Sequence, residues 1–262
     1  MFIKYLKSII NYIRYSFVYD EIFFIKEQVR RFEENNFDRK NGLDKLNKLK
    51  NEFKFLTQPM SSEHQVLFSS ISLNYQKKIK NILEIGTYDG TNAFLLSKLF
   101  PESKITTIDL EEGDKDFINT YGRESDEKLK NFCAERDKIL KLSKNILFQK
   151  KSSIKLLFDN EKYDLIWVDG AHGYPIATMD ILNSLRLCND EGFIMCDDVY
   201  ITKVFNADNI YYSQASYETL AALKNVGMLD FSLFFKRLTK ENNSIPDKRK
   251  FIALVTKLKT EA

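Results

Sequence analysis

Two apolar runs in this chain end in acids. Leu165 to Val168 leads into Asp169, a glycine and then His172, and Gly192 to Cys196 leads into the adjacent pair Asp197 and Asp198. Strands buried in a parallel sheet read as unbroken apolar stretches. Open α/β sheets bind their ligands outside the carboxyl ends of the strands. Acids that terminate two such strands are therefore brought to one edge. Grouped carboxylate oxygens suit a hard divalent cation, and an imidazole beside them suits the movement of a proton. The chain contains only two histidines, and one of them sits here.

The elements that must position these groups alternate. Strands are expected at Ile79 to Ile85, Lys104 to Leu110, Asn145 to Lys150, Tyr163 to Val168 and Gly192 to Asp197. Helices are expected at Thr91 to Phe100, after Gly122, at Ser153 to Asp159, from about Pro175 to Leu187 and at Tyr217 to Val226. Ile176, Met179, Leu182 and Leu185 form an apolar stripe broad enough to dock on a sheet. Phe231 to Arg237 and Lys250 to Lys257 are late strands, and their short connection favours an antiparallel edge hairpin. The pattern predicts an α/β, Rossmann-like, doubly wound and mostly parallel seven-stranded sheet. An N-terminal helical extension and linker over residues 1–56 precede this main domain at 57–262. Residues 1 to about 34 read as helix, and Asn35 to Phe55 as a linker with at most a short helix.

The first strand runs into a turn bounded by Gly86 and Gly90, and then into a helix. Glycine permits a tight turn and close backbone approach to a ligand, and the free N–H groups of a helix start favour an anionic group. Tyr88 stands where a dinucleotide fingerprint would carry its second glycine, and no Gly-Lys-Ser/Thr follows. Glu84-Ile-Gly-Thr-Tyr-Asp-Gly-Thr-Asn-Ala93 resembles the first motif of class I S-adenosylmethionine-dependent methyltransferases, and more narrowly the catechol- and caffeoyl-CoA-type O-methyltransferases. The resemblance implies that Asp109, ending the second strand, holds the ribose hydroxyls, and that Asn92 faces the methionine carboxylate. It implies a cofactor-binding set of Met60, Glu84, Gly86, Thr87, Tyr88, Asp89, Gly90, Asn92, Asp109, Leu110, Ser152, Ser153 and Asp169. Ser152 is a departure, because the family often has an acid there that contacts the adenine.

Val168-Asp-Gly-Ala-His-Gly-Tyr174, a helix containing Asp180, and Gly192 to Val199 are similar to bacterial methyltransferases that act on sugars and related natural products, of the macrocin type. That resemblance implies Mg²⁺, or another hard divalent cation, on Asp169, Asp197 and Asp198, with His172 as the base. Asp169 would then serve both the metal and the cofactor. The expected activity is O-methyl transfer to a hydroxylated small molecule. A metal-independent enzyme of the same fold and a non-catalytic binding protein are the alternatives. His64 reads as a surface or cofactor-lid residue, and Trp167 as core.

Composition narrows the class. Of 262 residues, 44% are hydrophobic and 29% charged, a globular balance. A net charge of +3 gives no support to a nucleic-acid partner. Cys133, Cys188 and Cys196 form neither a disulfide framework nor a metal spacing, which fits a reducing cytoplasm. In residues 1–19, Lys4, Lys7 and Arg14 interrupt an apolar run, leaving a basic amphipathic helix rather than a spanning one. Its apolar face, within residues 1–25, is expected to be covered by its own domain, by a second subunit in a homo-oligomer, or by the inner face of an anionic membrane.

Overall fold

The computed structural model describes residues 19–57, 62–120, 123–202 and 213–258. The amphipathic segment expected over the first residues lies outside them up to residue 18, as does Met60. Among the described residues, no helix is long and apolar enough to cross a membrane.

Five parallel strands carry the sheet: β1 (Asn81–Ile85), β2 (Lys104–Asp109), β3 (Ile146–Lys150), β4 (Tyr163–Val168) and β5 (Cys188–Val199). The hairpin of β6 (Leu229–Phe235) and β7 (Phe251–Lys257) completes it, with β7 antiparallel to both β5 and β6. The strand order is β3-β2-β1-β4-β5-β7-β6. Strand order reverses between β1 and β4, and the crevice of a doubly wound sheet opens at the carboxyl ends of such a pair.

Alternation along the strands explains the two layers. Leu165, Trp167 and Met195 face one core, shared with Leu67, Phe68 and Phe94 from the helices on that side. Ile166, Val168, Ile194 and Cys196 face the other, with Ile181, Leu185 and Leu220. α1 (Glu21–Glu34) runs along the β6 edge, with Phe32 in the first core and Phe24 in the second; α2 (Arg39–Glu52), α3 (Glu63–Tyr75) and α4 (Thr91–Leu99) lie on the first face, and α5 (Lys115–Asn119) and α6 (Asp126–Leu140) follow β2. α7 (Ile176–Leu187) and α8 (Ala215–Asn225) cover the second face.

The stretch expected as a linker is the clearest departure from the sequence reading, since α2 is a full helix within it. Asp38 caps its N-terminus by accepting the Asn41 N–H, and Leu46 is buried in the core. Gly42 does not break the helix. A Cβ there would lie 2.1 Å from Ser70 Oγ, so glycine is what lets α2 press against α3.

α1 closes the open edge of the sheet. The Gln28 side-chain amide donates to Phe235 O at 3.1 Å and accepts from Phe235 N at 2.9 Å. Arg31 donates to Leu233 O at 2.5 Å and lies over the Phe235 ring. Unpaired strand edges template aggregation, and here side chains of a helix stand in for the missing strand.

Candidate active site

Two turns meet at the crevice. Gly86 N donates to Ile108 O and Asp169 N to Ile85 O, both at 2.9 Å, so the loops after β1, β2 and β4 are laced together. Gly86 has φ +99°, and a Cβ on it would lie 2.2 Å from the Asp169 carbonyl oxygen. Any other residue would push these loops apart. Tyr88 also has a positive φ, 50°, in the region L-residues avoid.

The residues of the first turn divide into outward and inward groups. Asp109 accepts the N–H groups of Tyr88 (2.9 Å) and Leu110 (2.8 Å), one on each carboxylate oxygen. Each oxygen keeps a lone pair for a hydroxyl, as a diol-binding acid requires. Burial raises the Asp109 pKa, against the pull of those two N–H groups. Glu84 and Thr87 face inward. Glu84 is wholly buried; its oxygens accept from Asn92 Nδ2 (2.8 Å) and Thr107 Oγ1 (2.5 Å), and burial raises its pKa to about 8. Thr87 shares a hydrogen bond with Thr107 at 2.6 Å. Asp89 caps α4 through Thr91 N at 2.9 Å, and Gly90, with φ 79°, opens that helix.

Asn92 differs from expectation in its polarity. Its NH₂ is turned to Glu84, and its Oδ1 is buried without a hydrogen-bond partner. An orphaned acceptor suits an amino group rather than the carboxylate the resemblance implied. With the diol-ready Asp109 and the glycine cradle, the turn fits S-adenosylmethionine. Ser152 and Ser153 follow β3, where Lys151 N donates to Asp109 O at 2.6 Å and draws this loop to the same crevice. Asp180, wholly buried in α7, reaches Gly170 from beneath, and burial raises its pKa to about 6.

Beside this turn the acids and the imidazole converge as the sequence suggested. His172 Nε2 lies 3.6 Å from Asp198 Oδ2 and 3.9 Å from Asp169 Oδ1. Burial holds the His172 pKa below the usual histidine value, against the pull of Asp198 and Asp197, so the ring is neutral at pH 7 and free to take a proton. Burial, with the repulsion of nearby Asp197, raises the Asp169 pKa well above its ordinary value. A bulge between Cys196 and Val199 interrupts the pairing of β5 with β7, and within it Asp198 has φ 50°. Bulges re-aim side chains next to active sites, and this one turns adjacent acids into one cleft.

The sequence reading missed the cations. Lys236, following β6, donates to Asp197 Oδ2 at 2.5 Å and also to Asp198 Oδ1. Lys250, preceding β7, donates to Asp198 Oδ2 at 2.7 Å. Burial works against ionisation of Asp197, yet Lys236 overrides it and holds the acid well below its ordinary pKa. The Lys236 ammonium is itself held above the ordinary lysine value, its carboxylate partners outweighing burial. The available signal was a lysine next to each apolar strand of the hairpin, which the hairpin places side by side; Lys236 N donates to Lys250 O at 3.0 Å.

His64 was also misplaced as a surface or lid residue. It is buried, bonded through Nδ1 to Ser62 Oγ at 2.6 Å and packed 4.8 Å from the Trp167 ring. Burial lowers its pKa to about 4.

These residues do not fit a divalent ion as expected. Both oxygens of Asp198 and Asp197 Oδ2 accept from ammonium groups, while Asp197 Oδ1 is buried without a hydrogen-bond partner. Among the described residues, no group of three or more His, Cys, Asp or Glu side chains has the geometry to hold a metal.

Comparison with known proteins bears on the fold and on the central residues of the chain. Residues 83–199 match the model of a methyltransferase domain family. A comparison with curated proteins gives no match. Among solved structures, the chain is similar to SAH-bound methyltransferase PaMTH1 from Podospora anserina, with 19% identity and a TM-score of 0.52 over 79% of this chain and 86% of that one. It is similar to the O-methyltransferase TomG from Streptomyces achromogenes, involved in tomaymycin synthesis and in complex with SAM (15%, TM-score 0.51, 83% and 90%). An O-methyltransferase from Bacillus cereus in complex with SAH gives 17% identity and a TM-score of 0.50 over 82% and 90%. The chain therefore has the fold of these methyltransferases, and its residues 83–199 match a methyltransferase domain family.

Proposed function

We propose that the protein transfers a methyl group from S-adenosylmethionine to a hydroxyl of a sugar or a related polyhydroxylated small molecule. The observation that carries this reading is the placement of neutral His172 against Asp169 and Asp198, on the loop that also packs on the Gly86 turn. Donor and base then share one crevice. When bound, S-adenosylmethionine supplies a methyl group on a sulfonium, which leaves as a neutral thioether. His172 Nε2 takes the hydroxyl proton as the acceptor oxygen bonds to the methyl carbon, and the rest of the work is holding the two in line. The magnesium that the resemblance implied has no part in this reading, because ammonium groups already occupy its carboxylates.

Three observations support the wider reading: Asp109 with a lone pair free on each oxygen, the orphaned Asn92 acceptor, and paired charges beside His172. The test is calorimetry with S-adenosylmethionine, followed by transfer of a labelled methyl group to a panel of sugars and polyols. Saturable binding and labelled product are expected. His172→Ala should leave donor affinity unchanged and lower kcat by about 10²–10⁴-fold. Failure of the donor to bind would sink the reading, and unchanged turnover in the variant would remove His172 from the base role.

A further inference from the structure

We propose that the Lys236 ammonium is the built-in cation of the acceptor site, doing by hydrogen bond and charge what a bound divalent ion does elsewhere. The proposal rests on the reading of the protein as an O-methyltransferase.

An ammonium has three N–H donors. Asp197 Oδ2 and Asp198 Oδ1 accept two from Lys236, and the third is available for an acceptor oxygen. Lys236 and His172 flank the same carboxylate: Lys236 meets Asp198 at Oδ1, and His172 Nε2 stands 3.6 Å from Oδ2. A hydroxyl between them donates its proton to the imidazole and accepts from the ammonium. As the O–H bond breaks and the O–CH₃ bond forms, negative charge gathers on that oxygen within reach of a fixed positive one. Charge positioned before the reaction, in a site that excludes water, is an effective form of catalysis.

The fold holds Lys236 in place. Its backbone N–H is bonded to Lys250 O, and its carbonyl accepts the Glu63 N–H at 2.9 Å. Its side chain is only 9% exposed. Lys250 neutralises the far oxygen of Asp198, so the cluster holds three carboxyl groups and two ammonium groups around a neutral imidazole. A divalent ion would have to dislodge Lys236 from a seat built on both sides.

Three measurements on the full chain test this. In an Mn²⁺ titration followed by electron paramagnetic resonance, with Mn²⁺ as the only probe, wild type should show no binding that Asp197→Asn removes. Folded Lys236→Ala should gain such a site. Labelled methyl transfer by wild type should be the same in EDTA as in added Mg²⁺, and should fall at least 100-fold in kcat/KM in Lys236→Ala, with donor affinity kept within twofold. The proposal is overturned by Asp197-dependent Mn²⁺ binding to wild type, by loss of transfer in EDTA, or by a folded Lys236→Ala that keeps its kcat/KM. If Lys236→Ala fails to fold, the wild-type Mn²⁺ and EDTA measurements decide alone. If wild type does not bind S-adenosylmethionine, the methyltransferase reading itself fails; if it binds and transfers but EDTA stops it, only the role of Lys236 does.

Discussion

Glu84 shows how a motif residue can serve the fold rather than the ligand. It lies in the stretch that resembles the donor-binding motif, yet it is wholly buried, with both oxygens satisfied by Asn92 and Thr107. Its pKa is raised from 4.5 to about 8. An acid that binds its proton more tightly when folded loses stability as pH rises from its unfolded value through its folded one. The loss therefore develops between pH 4.5 and about 8 and is complete above that window. Glu84→Gln removes the ionisation, and melting curves should show it more stable than wild type at pH 9, by about 2–5 kcal/mol, with no such advantage at pH 4. Equal melting temperatures at pH 9 would show that the carboxyl is not held neutral. The types of such residues were legible in the sequence. Their orientation was not, because period-two alternation sets the face a side chain takes only once the sheet's layers are known.

At the level of elements, the strands were read with little error. β4 was expected at its observed bounds, and the β6–β7 hairpin was expected from its short connection. Apolar runs bounded by turn residues carry that information locally. The helix α2 and the bulge in β5 were not read. The first is rich in lysine and asparagine, and its stability comes from Leu46 and from the contact at Gly42 with a helix distant in sequence. The second depends on strand register with β7. The same reliance on distant contacts makes the Gln28 bridge testable. Gln28→Ala leaves the Phe235 N–H and C=O unpaired on the sheet edge, and should cost about 1–3 kcal/mol. A lowered melting temperature, with faster hydrogen exchange at the Phe235 amide, is the expected result; an unchanged amide would mean that water or another group pairs that edge.

For the whole molecule, the sequence placed three acids and an imidazole in the crevice and left out its two lysines. Asp169, His172, Asp197 and Asp198 come together at the carboxyl ends of β4 and β5. Their neutralising lysines come from the far edge of the sheet, and no local pattern tied them to the acids. One further surface property is open to measurement. Ile22 and Phe23 are exposed at 63% and 57%, next in the chain to the amphipathic segment expected over the first residues. We propose that self-association of the chain covers them. Sedimentation should give a species heavier than the monomer; a monomer, whether or not it pellets with anionic vesicles, would overturn this.

The strand order separates the two chemistries of the molecule. The groups that fit the methyl donor hang from β1, β2 and β3, on one side of the crevice, while both lysines belong to the hairpin at the opposite edge. The matched domain ends at Val199, before either lysine. On the proposed roles, replacing this hairpin alone changes the charge of the acceptor side and leaves the donor half intact.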